Sequence, residues 1–383
     1  MILRQSWLAK IQSLLLTRSL LWIGGPVGVG KSQLLRQLPQ AKYFDCEQSS
    51  DLNHLQHEHA NLSHSLVILD ELRFVAQPDR ILKTLLRPDL KNKVICSSSL
   101  KWTYITSLKE LTRYNGEQVM MLGMTLAELK DQSQAWVDHY LSDTGVPGFL
   151  LSDLQLQGMV ESFEKLYWKS VIERSFMGCD RQQFHQVFQL LGKKSGEAFD
   201  EAAWATELKL NRKDLLEQIS FLQAGYCVLE IPAFEPHLRK TAEPWPVFYF
   251  FDRAFSRYYQ QLSKQDPAHQ ERLWTHLVFL ELVAHVSLSS IYHGQDRIHA
   301  GVPFIVSDSQ GIHAIFPKSQ NIEVDLTSLL EFRRHEPYGK NILVQKGGSG
   351  SQILRKDNLV LEQVGLDDLQ RVFSTLVRPR KSV

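Results

Sequence analysis

The sequence predicts an α/β protein whose first part is built on a parallel sheet. Three observations support this prediction. Short apolar runs of strand length alternate with helical patterns over roughly the first hundred residues. The stretch GGPVGVGKS, Gly24 to Ser32, contains the pattern G-x-x-x-x-G-K-[ST]. A further apolar run, Ser65 to Asp70, ends in an acid and is followed at once by Glu71.

The glycine-rich stretch has the flanks that a phosphate cradle needs. Ser19 to Ile23 predicts a buried strand before it, and Lys31 to Leu38 predicts a helix whose N-terminus faces the anion. Glycines let backbone N–H groups converge on phosphates, while Lys31 reaches their oxygens and the Ser32 hydroxyl ligates Mg²⁺. An ordinary glycine-rich turn is the alternative. The predicted nucleotide-binding residues are Gly25, Pro26, Val27, Gly28, Val29, Gly30, Lys31, Ser32 and Gln33.

The acid pair predicts the second half of the same site. Asp70 would hold Mg²⁺ directly or through a water, and Glu71 would orient and deprotonate the attacking water as the catalytic residue. A buried strand capped by solvated acids is the alternative. The Asn-Lys-x-Asp element of guanine-specific sites is missing, because Asn92 and Lys93 are followed by valine and isoleucine. This absence favours ATP over GTP.

Further strands and helices continue the alternation. Lys42 to Cys46 predicts a strand, Arg80 to Leu86 a helix, and Lys93 to Cys96 another strand that runs into three serines. A polar side chain at that strand end can contact the γ-phosphate or the attacking water. Ser98 is the candidate, and a plain turn is the alternative.

These motifs together resemble a known family. The order GGPVGVGKS, LVILDELR, VICSSSL and a Gly-Val-Pro-Gly turn at Gly145 to Gly148 is similar to bacterial and archaeal AAA+-type ATPases that carry a C-terminal domain of unknown function. The resemblance implies a P-loop AAA+-type parallel core (1–135), a helical and winged-helix region (136–262) and a small α/β nuclease-like domain (263–383). Arg73 stands where the family has glutamine. Arg113 is near the place of the family's arginine finger but out of register, and Arg87 is an equally weak candidate.

The middle region has the pattern of a winged helix. From Phe199 to Leu229 it reads helix, turn, helix and strand, with Asn211 as the N-cap of the second helix and Gly225 at its end. Lys209, Arg212 and Lys213 form a local basic cluster that could contact DNA. A module that packs within the chain or docks a protein is the alternative.

The C-terminal region retains a nuclease-like pattern without its acids. Family members show Glu-Val-Asp on one strand and Glu-x-Lys on the next, and the matching segments here are Gly301 to Val306 and Ile315 to Gln320. Gly301, Pro303 and Phe316 replace the acids, and Lys318 alone is retained. Glu281 also falls in register on a helix predicted over Leu273 to His285, but one carboxylate cannot hold a catalytic metal. An active nuclease would need acids from elsewhere, such as Asp308, Glu323 or Asp325.

Composition limits the other possibilities. The 43 Lys plus Arg nearly cancel the 42 Asp plus Glu, so any nucleic-acid contact requires a local patch. Four cysteines, Cys46, Cys96, Cys179 and Cys227, lack metal or redox spacing, which favours a reducing compartment. Neither a signal peptide nor a membrane span is predicted. We expect a cytoplasmic protein.

Two other clusters have mainly structural explanations. The histidines of HLQHEH, His54, His57 and His59, could bind a transition metal near Cys46, but a solvated segment is the favoured interpretation. The aromatic run from Trp245 to Phe251 could stack on bases, but core packing is favoured.

The sequence therefore predicts a protein that binds Mg²⁺ and ATP and hydrolyses the ATP, with an inactive nuclease-like domain. The alternative is a scaffold or regulator that uses the nucleotide as a switch and has little turnover. DNA, a protein partner and a second copy of the chain are the candidate macromolecular partners.

Overall fold

The fold is taken from a computed structural model of the 383-residue chain. The structure describes residues 4–105, 114–130, 132–234, 245–261, 266–294, 301–319, 326–347, 350–356 and 359–376. Its contacts divide the chain into two units. The first unit comprises Met1–Met124, Val146–Cys179 and Ser220–Cys227, and the second comprises Thr125–Gly145, Asp180–Ile219 and Val228–Val383. The division into three consecutive domains stays a prediction.

The first unit contains a parallel sheet of five strands. The strands are β1 (Leu20–Gly24), β2 (Ala41–Asp45), β3 (Leu66–Asp70), β4 (Lys93–Ser98) and β5 (Gly116–Met120). Their order is β2-β3-β4-β1-β5, and every neighbouring pair is parallel. Parallel strands have their carboxyl ends on one edge, and loops that follow those ends form the ligand-binding crevice of open α/β sheets. The predicted α/β parallel core is confirmed.

Helices of the first unit connect and flank these strands. They are α1 (Gln5–Thr17), α2 (Lys31–Leu35), α3 (Ser49–Glu58) and α4 (Pro78–Leu85). The central strands β1, β3 and β4 consist almost entirely of buried residues, which explains why each reads as a continuous apolar run. One core cluster joins Trp22 of β1 and Leu69 of β3 to Leu82 of α4.

Most predicted bounds in this region are close to the observed ones, and two differ for clear reasons. The helix predicted from Lys31 to Leu38 ends at Leu35, since Pro39 disfavours helical backbone in the residue before it. Helix α1 and strand β5 were not predicted. The sequence of β5, GEQVM, has only one buried residue, Val119.

The first unit also includes a set of helices from later in the sequence. Helices α5 (Leu126–Lys130) and α6 (Gln134–Ser142) belong to the second unit. The helices that follow them and belong to the first unit are α7 (Pro147–Leu150), α8 (Leu156–Tyr167) and α9 (Glu173–Ser175). A π-helical turn, Trp168–Ile172, joins α8 to α9. The segment Ser220–Cys227 belongs to this unit as well, and Lys101 donates a backbone hydrogen bond of 2.8 Å to Ala224.

The second unit combines helices with two sheets. Its later helices are α10 (Arg181–Lys193), α11 (Glu201–Leu208), the start of α12 (Arg212–Ala224), α13 (Arg253–Tyr259), α14 (Pro267–His285), α15 (Leu326–His335) and α16 (Leu369–Ser374). Strands β6 (Val228–Ile231) and β7 (Val247–Phe250) form an antiparallel pair. The other strands are β8 (Ile291–Tyr292), β9 (Phe304–Asp308), β10 (Gly311–Lys318), β11 (Asn341–Gln345), β12 (Ser351–Lys356) and β13 (Leu359–Val364).

The larger of these two sheets is mixed. Its order is β12-β13-β11-β10-β9-β8, with β10, β11 and β13 parallel and the remaining pairs antiparallel. The strand predicted over Asn341 to Gln345 is confirmed with the same bounds. The strand predicted from Gly301 instead begins at Phe304, because Gly301 has a left-handed φ of 88° and Pro303 has no N–H to donate.

Most of the aromatic run, from Phe248 to Phe251, is part of the core, whereas Trp245 is 43 % exposed. Phe248, Tyr249, Phe250 and Phe251 are all buried, and the rings of Tyr249 and Phe279 stack at 4.5 Å. These rings are not available for stacking on bases. Among the residues that the structure describes, no helix has both the length and the apolar character needed to span a bilayer.

Candidate nucleotide site

The phosphate loop, residues Gly24 to Ser32, follows the carboxyl end of β1. Gly25 donates its N–H to the carbonyl of Ser98 at 3.3 Å, which ties the loop to the neighbouring strand β4. A Cβ at position 25 would collide with the carbonyl oxygen of Met121. Gly28 and Gly30 have left-handed φ values of 86° and 92°, which glycine adopts at little cost. The loop therefore has the backbone that the glycine pattern predicts.

Lys31 is held inside the phosphate loop. Its side chain is 4 % exposed, and Nζ donates to the carbonyls of Gly25 at 2.8 Å and Pro26 at 2.9 Å. The third hydrogen bond, 3.1 Å long, goes to Oγ of Ser99. Burial lowers the pKa of Lys31, and the nearby carboxylates of Glu71 and Asp70 oppose that effect. An ammonium has three protons to donate, and here protein oxygens accept three bonds from it.

The other predicted residues of the loop differ in exposure. Pro26 and Val29 are buried, whereas Val27 and Ser32 are half-buried. Gly28 and Gln33 are exposed. Ser32 is the second residue of α2, and its carbonyl accepts a bond from Arg36.

Asp70 ends β3 with a buried carboxylate. Its Oδ1 accepts a hydrogen bond from the Ser97 hydroxyl, and its Oδ2 accepts one from the phenol of Tyr43. Burial, together with the bond to Asp70, raises the pKa of Tyr43 above its ordinary value, so the phenol stays a donor. Sequence reasoning missed both donors, since neither strand β2 nor Ser97 carries a motif.

Glu71 lies directly after β3 with a left-handed φ of 52°. Oε1 accepts a 2.6 Å hydrogen bond from Oγ of Ser99, and Oε2 accepts one of 3.2 Å from the Ser99 N–H. Oε2 also lies 2.9 Å from Nε of Arg73, and Oε1 lies 3.9 Å from Nζ of Lys31. Glu71 and Lys31, the residues that the sequence predicts as base and phosphate ligand, are therefore neighbours in one small site.

Ser98 and Ser99 make different contacts at the end of β4. The Ser98 hydroxyl accepts a 3.0 Å bond from the N–H of Leu100 and serves the turn that follows β4. Ser99 instead contacts both Lys31 and Glu71. Of the two serines, Ser99 is therefore the one that bonds to Lys31 and Glu71, and the role predicted for Ser98 stays a prediction. Neighbouring residues of a strand end point in different directions, so sequence alone does not separate them.

Arg73 lies beside Glu71, whereas Arg87 pairs with a different acid. The Arg73 side chain is 6 % exposed, and its guanidinium lies over the ring of Phe74 at 4.6 Å. It also donates a 3.4 Å bond to Oγ of Ser175. Arg87 pairs with Asp89 at an exposed position, and Arg113 lies outside the described residues.

The residues present fit a magnesium ion. Mg²⁺ binds through one or two protein oxygens and completes its shell with water and substrate phosphates. Ser32 would supply a hydroxyl to such an ion, and Asp70 a carboxylate that accepts bonds from Ser97 and Tyr43. In the described part of the chain, no group of three or more histidine, cysteine or acidic side chains could hold a metal alone. His54 instead pairs with Glu58 at 2.9 Å.

The segment of the chain that carries the candidate site matches a known family model. Residues 17–130 match the family model AAA_14, described as an AAA domain. This segment is therefore similar to AAA domains. It contains all five strands of the parallel sheet, the phosphate loop and the acid pair. Residues beyond 130 lie outside that match.

Comparisons with curated proteins and solved structures give no information about function beyond the family match. No curated protein matches the chain. Among solved structures, AMPPCP-bound DnaA from Aquifex aeolicus aligns at 14 % identity over 57 % of this chain and 87 % of its own, with a TM-score of 0.30. A DNA polymerase III gamma subunit-related protein from Thermotoga maritima aligns at 10 % identity over 57 % and 98 %, with a TM-score of 0.26. At such scores neither likeness bears on function.

The C-terminal residues proposed for nuclease chemistry are engaged elsewhere. Nζ of Lys318 lies 3.5 Å from Glu271 on α14. Buried Glu281 accepts bonds from the N–H of Leu126 at 2.8 Å and the Tyr140 hydroxyl at 2.5 Å, and burial raises its pKa. Its carboxylate therefore caps the start of α5.

Two further residues considered for the nuclease site, Asp308 and Phe316, also have structural contacts. Oδ1 of Asp308 accepts bonds from Gln310 and Gly311 in the turn between β9 and β10, and one of 3.0 Å from His313. Phe316 belongs to the core cluster of this sheet. Glu323 and Asp325 lie outside the described residues.

The basic cluster of the middle region is exposed. Asn211 caps α12, since its Oδ1 accepts a 2.9 Å bond from the N–H of Asp214. Lys209 precedes it with a left-handed φ of 56°. Lys209, Arg212 and Lys213 are all exposed, but Arg212 forms an ion pair with Glu201. That pair reduces the positive charge available to an anion.

Proposed function

We propose that this chain binds ATP with Mg²⁺ at the phosphate loop and hydrolyses it. One observation carries the proposal: the Ser99 hydroxyl bonds both to Lys31, the phosphate-binding cation, and to Glu71, the candidate base. Phosphoryl transfer needs positioning and charge stabilisation more than covalent chemistry. A cation and a carboxylate that share one hydroxyl at the end of a buried sheet provide both.

Each residue has a defined part in this proposal. Lys31 binds the β- and γ-phosphate oxygens, and Ser32 and Asp70 hold the metal ion. Mg²⁺, when bound, neutralises charge on those oxygens. Glu71 accepts the proton of the attacking water, and Ser99 sets the direction of its carboxylate.

Nucleotide binding requires an exchange of hydrogen bonds. Lys31 donates to the carbonyls of Gly25 and Pro26, so its protons must leave these oxygens to reach a phosphate. Glu71 likewise has both oxygens engaged by Ser99 and Arg73. Hydrolysis therefore depends on a rearrangement in which Glu71 frees one oxygen for the water.

The remainder of the chain enters the proposal as a binding region. We propose that α11, α12 and the β6–β7 pair act as a winged helix whose basic cluster makes weak DNA contacts, or that this region docks a protein partner. The C-terminal sheet is proposed as a nuclease-like domain that does not cut, and the protein is proposed to act in the cytoplasm. Engagement of Lys318, Glu281 and Asp308 in other contacts supports the absence of cleavage.

A nucleotide-switched scaffold is the second candidate function. The observation that favours it is that Lys31 and Glu71 already have protein partners in this structure. If these bonds exchange only slowly for bonds to a nucleotide, the site has two states, one closed and one nucleotide-bound. Measuring ATP turnover with and without duplex or single-stranded DNA, together with the mass of the complex, separates the two. Steady multiple turnover supports the ATPase, and one slow turnover per chain supports the switch.

A further inference from the structure

A buried arginine at the start of the chain contacts the phosphate loop. Arg4 immediately precedes α1 and is 4 % exposed. One guanidinium nitrogen, Nη1, donates to the carbonyl of Val29 at 3.3 Å and to that of Leu122 at 3.0 Å. The other, Nη2, donates to the carbonyl of Gly123 at 3.0 Å. Arg4 therefore joins the phosphate loop to the turn after β5.

The carbonyl that Arg4 holds belongs to the most adjustable part of the loop. Val29 lies between Gly28 and Gly30, both with left-handed φ values. Glycine adopts positive and negative φ about equally well, so the peptide between residues 29 and 30 could turn over at small cost. A hydrogen bond to its oxygen from a charged, buried donor opposes that rotation.

The orientation of the Val29–Gly30 peptide determines the direction of the Gly30 N–H. In a planar trans peptide, the carbonyl oxygen and the next N–H point to opposite sides. Because the Val29 oxygen faces Arg4, the Gly30 N–H faces away from Arg4. The N–H groups of a phosphate loop are the donors that cradle the phosphates.

The turn after β5 gives Arg4 a fixed reference. Met121 donates its N–H to the Gly24 carbonyl at 2.8 Å, and its own carbonyl lies against Gly25. The same turn continues into Leu122 and Gly123, whose carbonyls accept from Arg4. This turn therefore contacts the start of the phosphate loop directly, and Arg4 connects the same turn to the end of the loop.

We propose that Arg4 is a positioning residue of the nucleotide site, which fixes the Val29–Gly30 peptide so that the Gly30 N–H serves the phosphates. This inference rests on the proposed ATP binding. Arg4 acts through the backbone and does not touch the nucleotide. Its loss should weaken the binding of phosphate groups more than it changes the hydrolytic step.

The test compares Arg4→Ala, Arg4→Lys and Arg18→Ala in the full chain. Arg18 is the matched control, because its guanidinium bonds to Glu117 and Asn115, away from the loop. We expect Arg4→Ala to weaken Mg-ATP and Mg-ADP binding by about tenfold or more, the scale of one charge-assisted hydrogen bond. Arg4→Lys should be intermediate, since lysine lacks the planar fork. Arg18→Ala should bind as wild type does.

A rescue experiment separates positioning from general destabilisation. Millimolar guanidinium chloride should restore ATP affinity to Arg4→Ala by filling the vacated site, but not to Lys31→Ala. Turnover at saturating ATP should change far less than KM.

Several outcomes would overturn the proposal. A folded Arg4→Ala protein with wild-type ATP affinity, or one that guanidinium does not rescue, contradicts it. If Arg4→Ala does not fold, wild-type affinity in Arg4→Lys contradicts it. Failure of the wild-type chain itself to bind ATP would overturn the proposed function, and this proposal with it.

Discussion

Ser99 donates a 2.6 Å hydrogen bond to the carboxylate of Glu71. The same hydroxyl accepts a bond from Lys31, so one small side chain links the cation of the phosphate loop to the acid that follows β3. The predictions below follow from this arrangement and from the charges elsewhere on the chain.

Lys31→Ala should abolish tight Mg-ATP binding while the protein stays folded. Burial lowers the pKa of Lys31, which means that keeping its ammonium charged inside the protein costs free energy of folding. Alanine removes that cost, so we expect the variant to fold. Nucleotide titration with a thermal melt of the apo protein measures both effects, and Lys42→Ala, at an exposed lysine of β2, is the control. Unchanged affinity in folded Lys31→Ala protein would contradict the site.

Glu71→Gln should keep ATP binding and slow hydrolysis by about a hundredfold or more, the usual scale for losing a general base. Glutamine preserves the shape of the side chain but cannot take the proton of water. Phosphate release at saturating ATP measures the effect, with Glu58→Gln as a surface control. Equal rates in variant and wild type would exclude Glu71 as the base and favour the switch.

Ser99→Ala should lower turnover by about tenfold, whereas Ser98→Ala should stay close to wild type. Ser99 orients Glu71, while the Ser98 hydroxyl bonds only to the backbone of its turn among the contacts described. The loss corresponds to about 1.4 kcal/mol of transition-state stabilisation, a reasonable value for one hydrogen bond to a charged group. The reverse ranking of the two variants would restore the sequence-based assignment to Ser98.

Charge reversal at Lys209, Arg212 and Lys213 should remove any DNA affinity of the chain. Binding through so few phosphate contacts should be weak and should fall steeply with added salt. Anisotropy titration at several salt concentrations measures this, and reversal at Arg80, Lys83 and Lys91, exposed basic residues of the first unit, is the control. Unaltered DNA affinity in the first variant would make the region a packing or protein-docking module.

The C-terminal domain should not cleave plasmid, linear or single-stranded DNA, or RNA, in Mg²⁺ or Mn²⁺. Gly301, Pro303 and Phe316 offer no oxygen side chain, and Lys318 pairs with Glu271. Gel assays with purified protein test this directly. Cleavage that survives Lys31→Ala but not Lys318→Ala would place an active metal site in this domain, with acids such as Asp308, Glu323 or Asp325.

Local sequence was sufficient for four of the five strands of the first sheet. Buried parallel strands need apolar side chains on both faces, so β1, β3 and β4 stand out as continuous runs. Strand β5 escaped prediction because its sequence, GEQVM, is mostly polar and its pairing with β1 comes from a distant part of the chain. Helix α2 was expected to be longer, and Pro39 limits it.

By itself, the sequence determined the phosphate loop, the acid pair and the strands that carry them. These features depend on which residue types stand a few positions apart, and such short-range patterns of glycine, lysine and acidic residues are visible in the sequence itself. Asn211 as a helix cap belongs to the same class, because a cap contacts only its own first turn.

Only the tertiary structure decided which distant side chains complete the site. Tyr43 and Ser97 orient Asp70 from neighbouring strands, Ser99 rather than Ser98 contacts Glu71, and Arg4 holds the loop across 25 residues. Each contact depends on strand order and on the direction of a single side chain or peptide. Those directions arise from packing between segments far apart in sequence, which no local pattern encodes.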